Sequence, residues 1–224
     1  MDKSPACFID QTLLRPDTTH AEIDRVCEEA VEYGFAAVCI PPLYVGHCRK
    51  LLYGSKVALA TVVGFPFGFE PSRIKALQTA EAVAAGADEI DMVIPLGLAC
   101  QGLMELVADD VRQVVAAADG RPVKAIIECC LFENDRKRQL TEAVITGGAA
   151  YVKTSTGFSS GGATVDDVAL LDEVVAGRIM VMAAGRVRSW SSCAALIEAG
   201  AQRIGTSSGV AIMEQWSRKL GLTE

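Results

Sequence analysis

Tyr151–Val152–Lys153–Thr154–Ser155–Thr156–Gly157–Phe158 sets one lysine inside a short apolar run and then opens into hydroxyls and glycine. The run reads as the end of a buried parallel strand, and the loop after it as a site. Moving an amine out of water disfavours its charged form, so a lysine there is a candidate nucleophile for a carbonyl. The same spacing suits an ammonium that pairs with a carboxylate or reaches solvent at the strand end. The flanking sequence decides between them.

Outward from that stretch the same unit recurs. Towards the C-terminus come a helix opened by Thr164–Val165–Asp166–Asp167, the strand Ile179–Met180–Val181–Met182, a helix from about Ser191 to Glu198, the strand Arg203–Ile204–Gly205, and a closing helix from Val210. Towards the N-terminus, Val123 to Glu128 is a strand before a helix over Asn134 to Ile145, and Glu89 to Val93 is a strand before a helix from about Met104 to Ala118. Val57 to Val63 precedes a helix that begins at Pro71–Ser72, and Phe35 to Ile40 precedes one through Leu51–Leu52. First in the chain, Phe8–Ile9–Asp10 leads to a helix capped by Thr18 or Thr19 and stopped by Gly34, with Ile23, Val26, Cys27, Ala30 and Val31 at helical spacing. About eight strand-then-helix units with no linker predict one α/β domain over residues 1–224, a single (β/α)8 TIM barrel rather than an open sheet. In such a barrel the C-terminal strand ends share one mouth, and Asp10, Cys39, Asp91, Glu128, Lys153 and Met182 all lie at or near such ends.

Composition narrows the function classes. A net charge of −7 gives no electrostatic footprint for nucleic acid or an anionic membrane, and no apolar run is long enough to span a bilayer. The eight cysteines are scattered without C-x-x-C spacing, Cys129–Cys130 falling in a predicted strand, which reads as buried thiols in a reduced protein. His20 and His47 are the only histidines, so a histidine metal cluster is not expected. Met1–Asp2–Lys3–Ser4–Pro5 lacks the apolar core of a signal peptide, and the expected location is the cytoplasm.

Several stretches carry a closer resemblance. Ile9–Asp10–Gln11–Thr12–Leu13–Leu14–Arg15–Pro16, Gly64–Phe65–Pro66, Gly86 to Ile94, Val152 to Phe158, Gly161–Gly162–Ala163–Thr164 and Gly205–Thr206–Ser207–Ser208–Gly209 resemble, in order, the deoxyribose-phosphate aldolase family. The resemblance implies a metal-independent class I aldolase without a cofactor, which joins acetaldehyde and glyceraldehyde 3-phosphate reversibly through a lysine imine. It assigns Lys153 as the Schiff-base lysine and Asp91 as the group that handles protons through a water. It places Asp10, Cys39 and Lys124 along the pocket with Thr156, and implies a homodimer with a small aldehyde or sugar-phosphate as its ligand. Gly205 to Gly209 reads as a phosphate cradle at a helix N-terminus, with Ser207 and Ser208 in it and Gly157 and Gly185 beside it.

Each assignment has a plainer counterpart. Asp10 suits a turn at Gln11–Thr12, Cys39 an inert core thiol, and Lys124 and Glu128, on one face at even spacing, suit each other. Asp91, framed by Ile90, Met92 and Val93, is harder to explain structurally, because a buried carboxylate needs a partner.

The sequence also departs from the family. Where the family reads Lys-Ala-Ser-Gly-Gly-Ile-Arg, this chain has Met182–Ala183–Ala184–Gly185–Arg186–Val187–Arg188, so a second active-site lysine is Met182 and a phosphate-loop glycine is Arg186. Losing that neighbouring cation removes one contribution to keeping Lys153 neutral, and Arg186 is placed to bind a phosphate or carboxylate or to narrow the pocket. Gln11 stands for a histidine, Pro41 for an asparagine, Cys100 for a lysine, and Phe69–Glu70–Pro71 for a smaller Ala-Asn-Thr; the tail ends at Glu224 without a terminal tyrosine. Imine formation with weak or replaced cleavage of deoxyribose 5-phosphate is the expected behaviour. A Schiff-base enzyme of another class (dehydration, cyclisation or condensation) and a non-catalytic sugar-phosphate binding protein are the alternatives.

Overall fold

The computed structural model describes residues 4–221, so the readings made on Met1–Asp2–Lys3 and on the tail at Glu224 lie outside the described residues. Eight parallel strands form a closed barrel in chain order, β1 pairing with β8. They are β1 (Ile9–Thr12), β2 (Ala37–Ile40), β3 (Ala58–Val63), β4 (Glu89–Val93), β5 (Val123–Ile126), β6 (Tyr151–Lys153), β7 (Met180–Ala184) and β8 (Arg203–Thr206). Helices follow as α1 (His20–Tyr33), α2 (Val45–Leu51), α3 (Ser72–Ala84), α4 (Leu96–Gln101), α5 (Met104–Ala117), α6 (Asn134–Gly147), α7 (Val165–Val175), α8 (Trp190–Glu198) and α9 (Gly209–Lys219).

Local chemistry sets the helix ends. Thr19 caps α1 by accepting from the Glu22 amide while the Glu22 carboxylate returns to the Thr19 amide, and Gly34 in the left-handed region stops the helix. Ile23, Val26, Cys27 and Ala30 turn inward, whereas Val31 is 47% exposed and falls off the face predicted for it. Thr164 and Ser189 cap α7 and α8 by accepting from the Asp167 and Ser192 amides. The short α4 was not anticipated; it lies between β4 and the predicted α5.

Strand alternation divides the molecule into two interiors. Ile9, Val38, Ile40, Leu59, Ile90, Met92, Val123, Val152, Val181 and Ile204 point outward and pack with the helices into one apolar layer. Their inward neighbours include the charged residues Asp10, Glu89, Asp91, Lys124, Lys153 and Arg203, together with buried apolar ones, among them a small cluster of Cys39, Ala60 and Val62 with Leu14 and Phe65 against it. The apolar layer supplies the cohesion and the barrel interior is left for charge.

A fully buried charge pair lies in the outer layer. Lys75 of α3, fully buried, donates from Nζ to the Val93 carbonyl and to Asp110 Oδ2 of α5, both at 2.8 Å. It ties two helices to the end of β4. Removing one partner of a buried pair strands the other, so Asp110→Ala lowers stability by about 3–5 kcal/mol. The double replacement Lys75→Met with Asp110→Leu recovers most of that loss; urea midpoints of the three variants check it.

Candidate active site

Six charged side chains from five strands meet inside the barrel. Parallel register sets Asp91 of β4 opposite Lys124 of β5, and Lys153 of β6 opposite Met182 of β7. Lys124 is the hub: its Nζ lies 2.7 Å from Asp10 Oδ2, 2.7 Å from Glu89 Oε2 and 3.0 Å from Asp91 Oδ1. Arg203 of β8 closes the other side, its Nε 2.6 Å from Asp10 Oδ1 and its two Nη atoms 3.2 and 3.0 Å from the Glu89 carboxylate. Lys153 Nζ stands 2.5 Å from Asp91 Oδ2.

The contact to Lys124 is an ion pair without hydrogen-bond alignment, so Asp91 Oδ1 accepts no hydrogen bond among the described residues. A buried carboxylate oxygen left in that condition beside a lysine is where a water or a substrate hydroxyl finds an acceptor.

Burial and charge oppose each other in this cage. Burial raises the pKa of Asp91, but Lys124 and Lys153 outweigh it and hold the group at about 2. Burial likewise pushes the Lys124 ammonium down, and the facing carboxylates of Asp10, Asp91 and Glu89 hold it well above its ordinary value. Cys39 is different: burial, with Asp91 nearby, pushes its thiol up to about 12, so it is not a thiolate at neutral pH.

The structure brings together Lys153, Asp91, Lys124 and Asp10, with Cys39 in the adjoining apolar cluster. Asp10 is not a turn cap; its carboxylate is spent on Lys124 and Arg203. Met182 is fully buried next to Lys153.

Glu128 corrects the sequence reading. It does not face Lys124; β5 ends at Ile126, and Glu128 sits beyond it with φ +53, its carboxylate accepting from the Thr156 amide and hydroxyl. Cys129–Cys130 lie in a 3-10 turn rather than a strand.

The glycine side of the mouth is mixed. A Cβ on Gly185, at φ +88, would stand 3.1 Å from the Gly162 Cα and 3.5 Å from that of Gly157, so three backbones converge there. Arg186 follows at φ +63, exposed on the rim. Gly205 is instead a buried strand residue pressed against Ala184 and Met182. Ser207 is exposed and Ser208 half-buried; the Ser208 amide donates to Thr206 Oγ1 and the Gly209 amide to Gln11 Oε1. Two amides of the anticipated cradle are thus engaged within the protein.

Glu89 and Arg203 were not anticipated. Glu89 is two residues before Asp91 and Arg203 two before Gly205, so strand alternation alone puts them on the inner face. A surface groove lined by Met104, Ala108, Arg138, Glu142 and Val174 lies on the outer helical wall, away from these charges.

Residues 6–215 match the model of the DeoC/LacD family aldolases. The chain is 53% identical over 214 residues to the deoxyribose-phosphate aldolase of Syntrophotalea carbinolica, covering 96% of this chain and 97% of that protein. It is 50% identical over 210 residues to that of Deinococcus radiodurans, covering 94% and 96%. Among solved structures, the deoxyribose phosphate aldolase of Aeropyrum pernix superposes with a TM-score of 0.89 at 33% identity, covering 96% of this chain and 91% of that one. An aldolase called QR15 gives 0.94 at 32% over the whole of both chains.

The cage predicts an acid limb. Carboxylates in an unfolded chain take up protons near ~4, whereas Asp91 stays ionised down to about 2. Its stabilisation is therefore complete above ~pH 4 and is lost as pH falls through the folded value. Lys124→Met removes one of the two cations, lowers stability at neutral pH by about 3–5 kcal/mol, and starts the acid loss at a higher pH than in the parent. Denaturant titrations between ~pH 7 and ~pH 3 check this, and an unshifted acid limb refutes the hub role of Lys124.

Proposed function

The chain belongs to the DeoC/LacD aldolase family, and from that premise we propose that it is a class I aldolase interconverting 2-deoxy-D-ribose 5-phosphate with acetaldehyde and glyceraldehyde 3-phosphate through an imine on Lys153. The observation that carries this reading is the 2.5 Å contact between the Lys153 amine, 3% exposed, and the Asp91 carboxylate at the mouth of the barrel. A nucleophilic amine needs a neighbour that exchanges its proton.

Lys153 Nζ adds to the aldehyde carbon of the open-chain sugar, and water leaves as the protonated imine forms. The imine draws in the electron pair of the bond between the second and third carbons as that bond breaks. The third carbon's hydroxyl gives up its proton and that carbon departs as the aldehyde of glyceraldehyde 3-phosphate. The enamine left on Lys153 takes a proton at its second carbon, and hydrolysis of the imine releases acetaldehyde.

Asp91 changes character during this sequence. While Lys153 is cationic, two lysines hold Asp91 ionised and make it a poor base. Once Lys153 passes on its proton, only Lys124 remains against Asp91, and the carboxylate becomes able to carry a proton. Its Oδ1, which accepts no aligned hydrogen bond, offers a position for the water that relays it. The distal phosphate fits the glycine side of the mouth, with Gly157, Gly185, Ser207 and Ser208 beneath it and Arg186 on the rim. Assembly from identical copies belongs to the same reading; the Aeropyrum pernix structure is described as a unique tetramer.

Position 182 sets the rate in this reading. Lys124, Lys153 and Arg203 face Asp10, Glu89 and Asp91, so the cage is balanced. A fourth cation at Met182 would leave one positive charge unmatched, and the cheapest relief is a proton lost from a lysine. Borohydride trapping with acetaldehyde or deoxyribose 5-phosphate is expected to add mass at Lys153, mapped by peptide digestion, and Lys153→Met to abolish it. Turnover of deoxyribose 5-phosphate is expected to be slow, and Met182→Lys to raise it about tenfold, the effect of about 1.4 kcal/mol off the barrier. Absence of any adduct overturns the imine; an adduct with fast parental turnover overturns the role given to Met182.

A further inference from the structure

Glu128 is a buried carboxylate, 2% exposed, held in a left-handed backbone conformation that a non-glycine residue adopts only at a cost of about 1 kcal/mol or more. Among the described residues no lysine or arginine pairs with it to offset that cost. Its short hydrogen bonds go to Thr156: the amide lies 3.3 Å from both carboxylate oxygens and the hydroxyl 2.5 Å from Oε2, while the Cys130 thiol donates to Oε1 from 3.9 Å. Thr156 Oγ1 then accepts from the Phe158 amide at 3.1 Å. Glu128 thus fixes the backbone that carries the Phe158 ring.

That ring does not pack into the core. Phe158 is 46% exposed and meets Phe65 edge-to-face, centroids 5.2 Å apart and planes at 86°. Phe65 follows β3 and Phe158 follows β6, so the contact bridges the mouth above the strands that carry Asp91 and Lys124. Phe65, like Leu14, also packs on the cluster of Cys39, Ala60 and Val62, the apolar wall of the well. An aromatic roof therefore covers the apolar half of the well and leaves the glycine half open.

We propose that Glu128 is a positioning residue: through Thr156 it holds Phe158 across the mouth against Phe65, and this roof limits the length of the donor aldehyde that reaches Lys153. The inference rests on the imine reading above. The alkyl group of a donor bound to Lys153 has its apolar contacts with Cys39, Val62 and Phe65, and the Phe158 ring bounds that space. One methylene against such a wall is worth about tenfold in selectivity.

The test is the ratio of borohydride-trapping rates at Lys153 for propanal and acetaldehyde, read by intact mass. Phe158→Ala raises the propanal-to-acetaldehyde ratio about tenfold. Glu128→Ala raises it to a similar extent although the Glu128 side chain is not placed against the aldehyde. Thr156→Val, which cuts the link from Glu128 to the Phe158 amide, does the same, and Glu128→Gln, which keeps an acceptor for Thr156, stays near the parent. Glu128→Ala combined with Phe158→Ala gives no more than Phe158→Ala alone. Thr156→Val carries the same test where the alanine variant does not fold. A ratio that rises in Phe158→Ala but not when Glu128 or Thr156 is cut overturns the positioning role, and a flat ratio throughout overturns the roof. Parent protein that traps neither aldehyde overturns the imine reading and this inference with it, whereas normal trapping with flat ratios sinks this inference alone.

Discussion

Asp10 accepts from Lys124 at one carboxylate oxygen and from Arg203 at the other, which joins the first strand of the barrel to the fifth and the last. Glu89 repeats the bridge from the fourth strand. Taking this many charges out of water costs several kcal/mol per ion, and their mutual attraction offsets that only while every partner is present. The cage is therefore better understood as a constraint on closure than as a source of stability. A barrel with its strands shifted by one residue would turn Asp10, Asp91 and Lys124 into the apolar layer, where nothing compensates them.

The outer layer and the cage impose opposite demands on each strand, and this made much of the fold legible in the sequence. Glu89 to Val93 alternates charge with apolar side chains, and the strand observed has the bounds expected. Thr19 with Glu22, and Gly34 after Tyr33, mark the first helix without any tertiary information. The misreadings arose where tertiary partners overrode local pattern. Val123 to Glu128 looks like one continuous strand, but Glu128 is drawn out of line by Thr156, and the chain turns two residues early. Gly205 reads both as the end of a strand and as the start of a phosphate cradle; it is a strand residue, kept small because Met182 and Ala184 press on it from the neighbouring strand.

Lys153, Asp91 and Lys124 were legible as a group chiefly because the stretches around them resemble a family, and the barrel then explains why they must meet. Glu89 and Arg203 escaped notice because each looks like the polar beginning of a strand. The long arginine side chain brings a strand's first residue into contact with charges deeper in the barrel. Pairings of this kind join residues more than a hundred positions apart, and no local spacing encodes them.

Two separate controls on the chemistry emerge from this arrangement. The base of the well is rigid and electrostatic, so a change of charge at Met182 is felt at Lys153 and Asp91 through every partner they share. The rim is assembled from loops whose side chains face water, with aromatic rings above the third and sixth strands and glycines with Arg186 beside the seventh and eighth. In the proposed reading, a substrate with an apolar donor end and an anionic acceptor end lies across those two sides in only one direction, because reversing it would set an anion against Cys39, Val62 and Phe65 without a hydrogen-bond partner. In that reading, reactivity is set by charge balance inside the barrel, and orientation by the contrast between the two halves of its mouth.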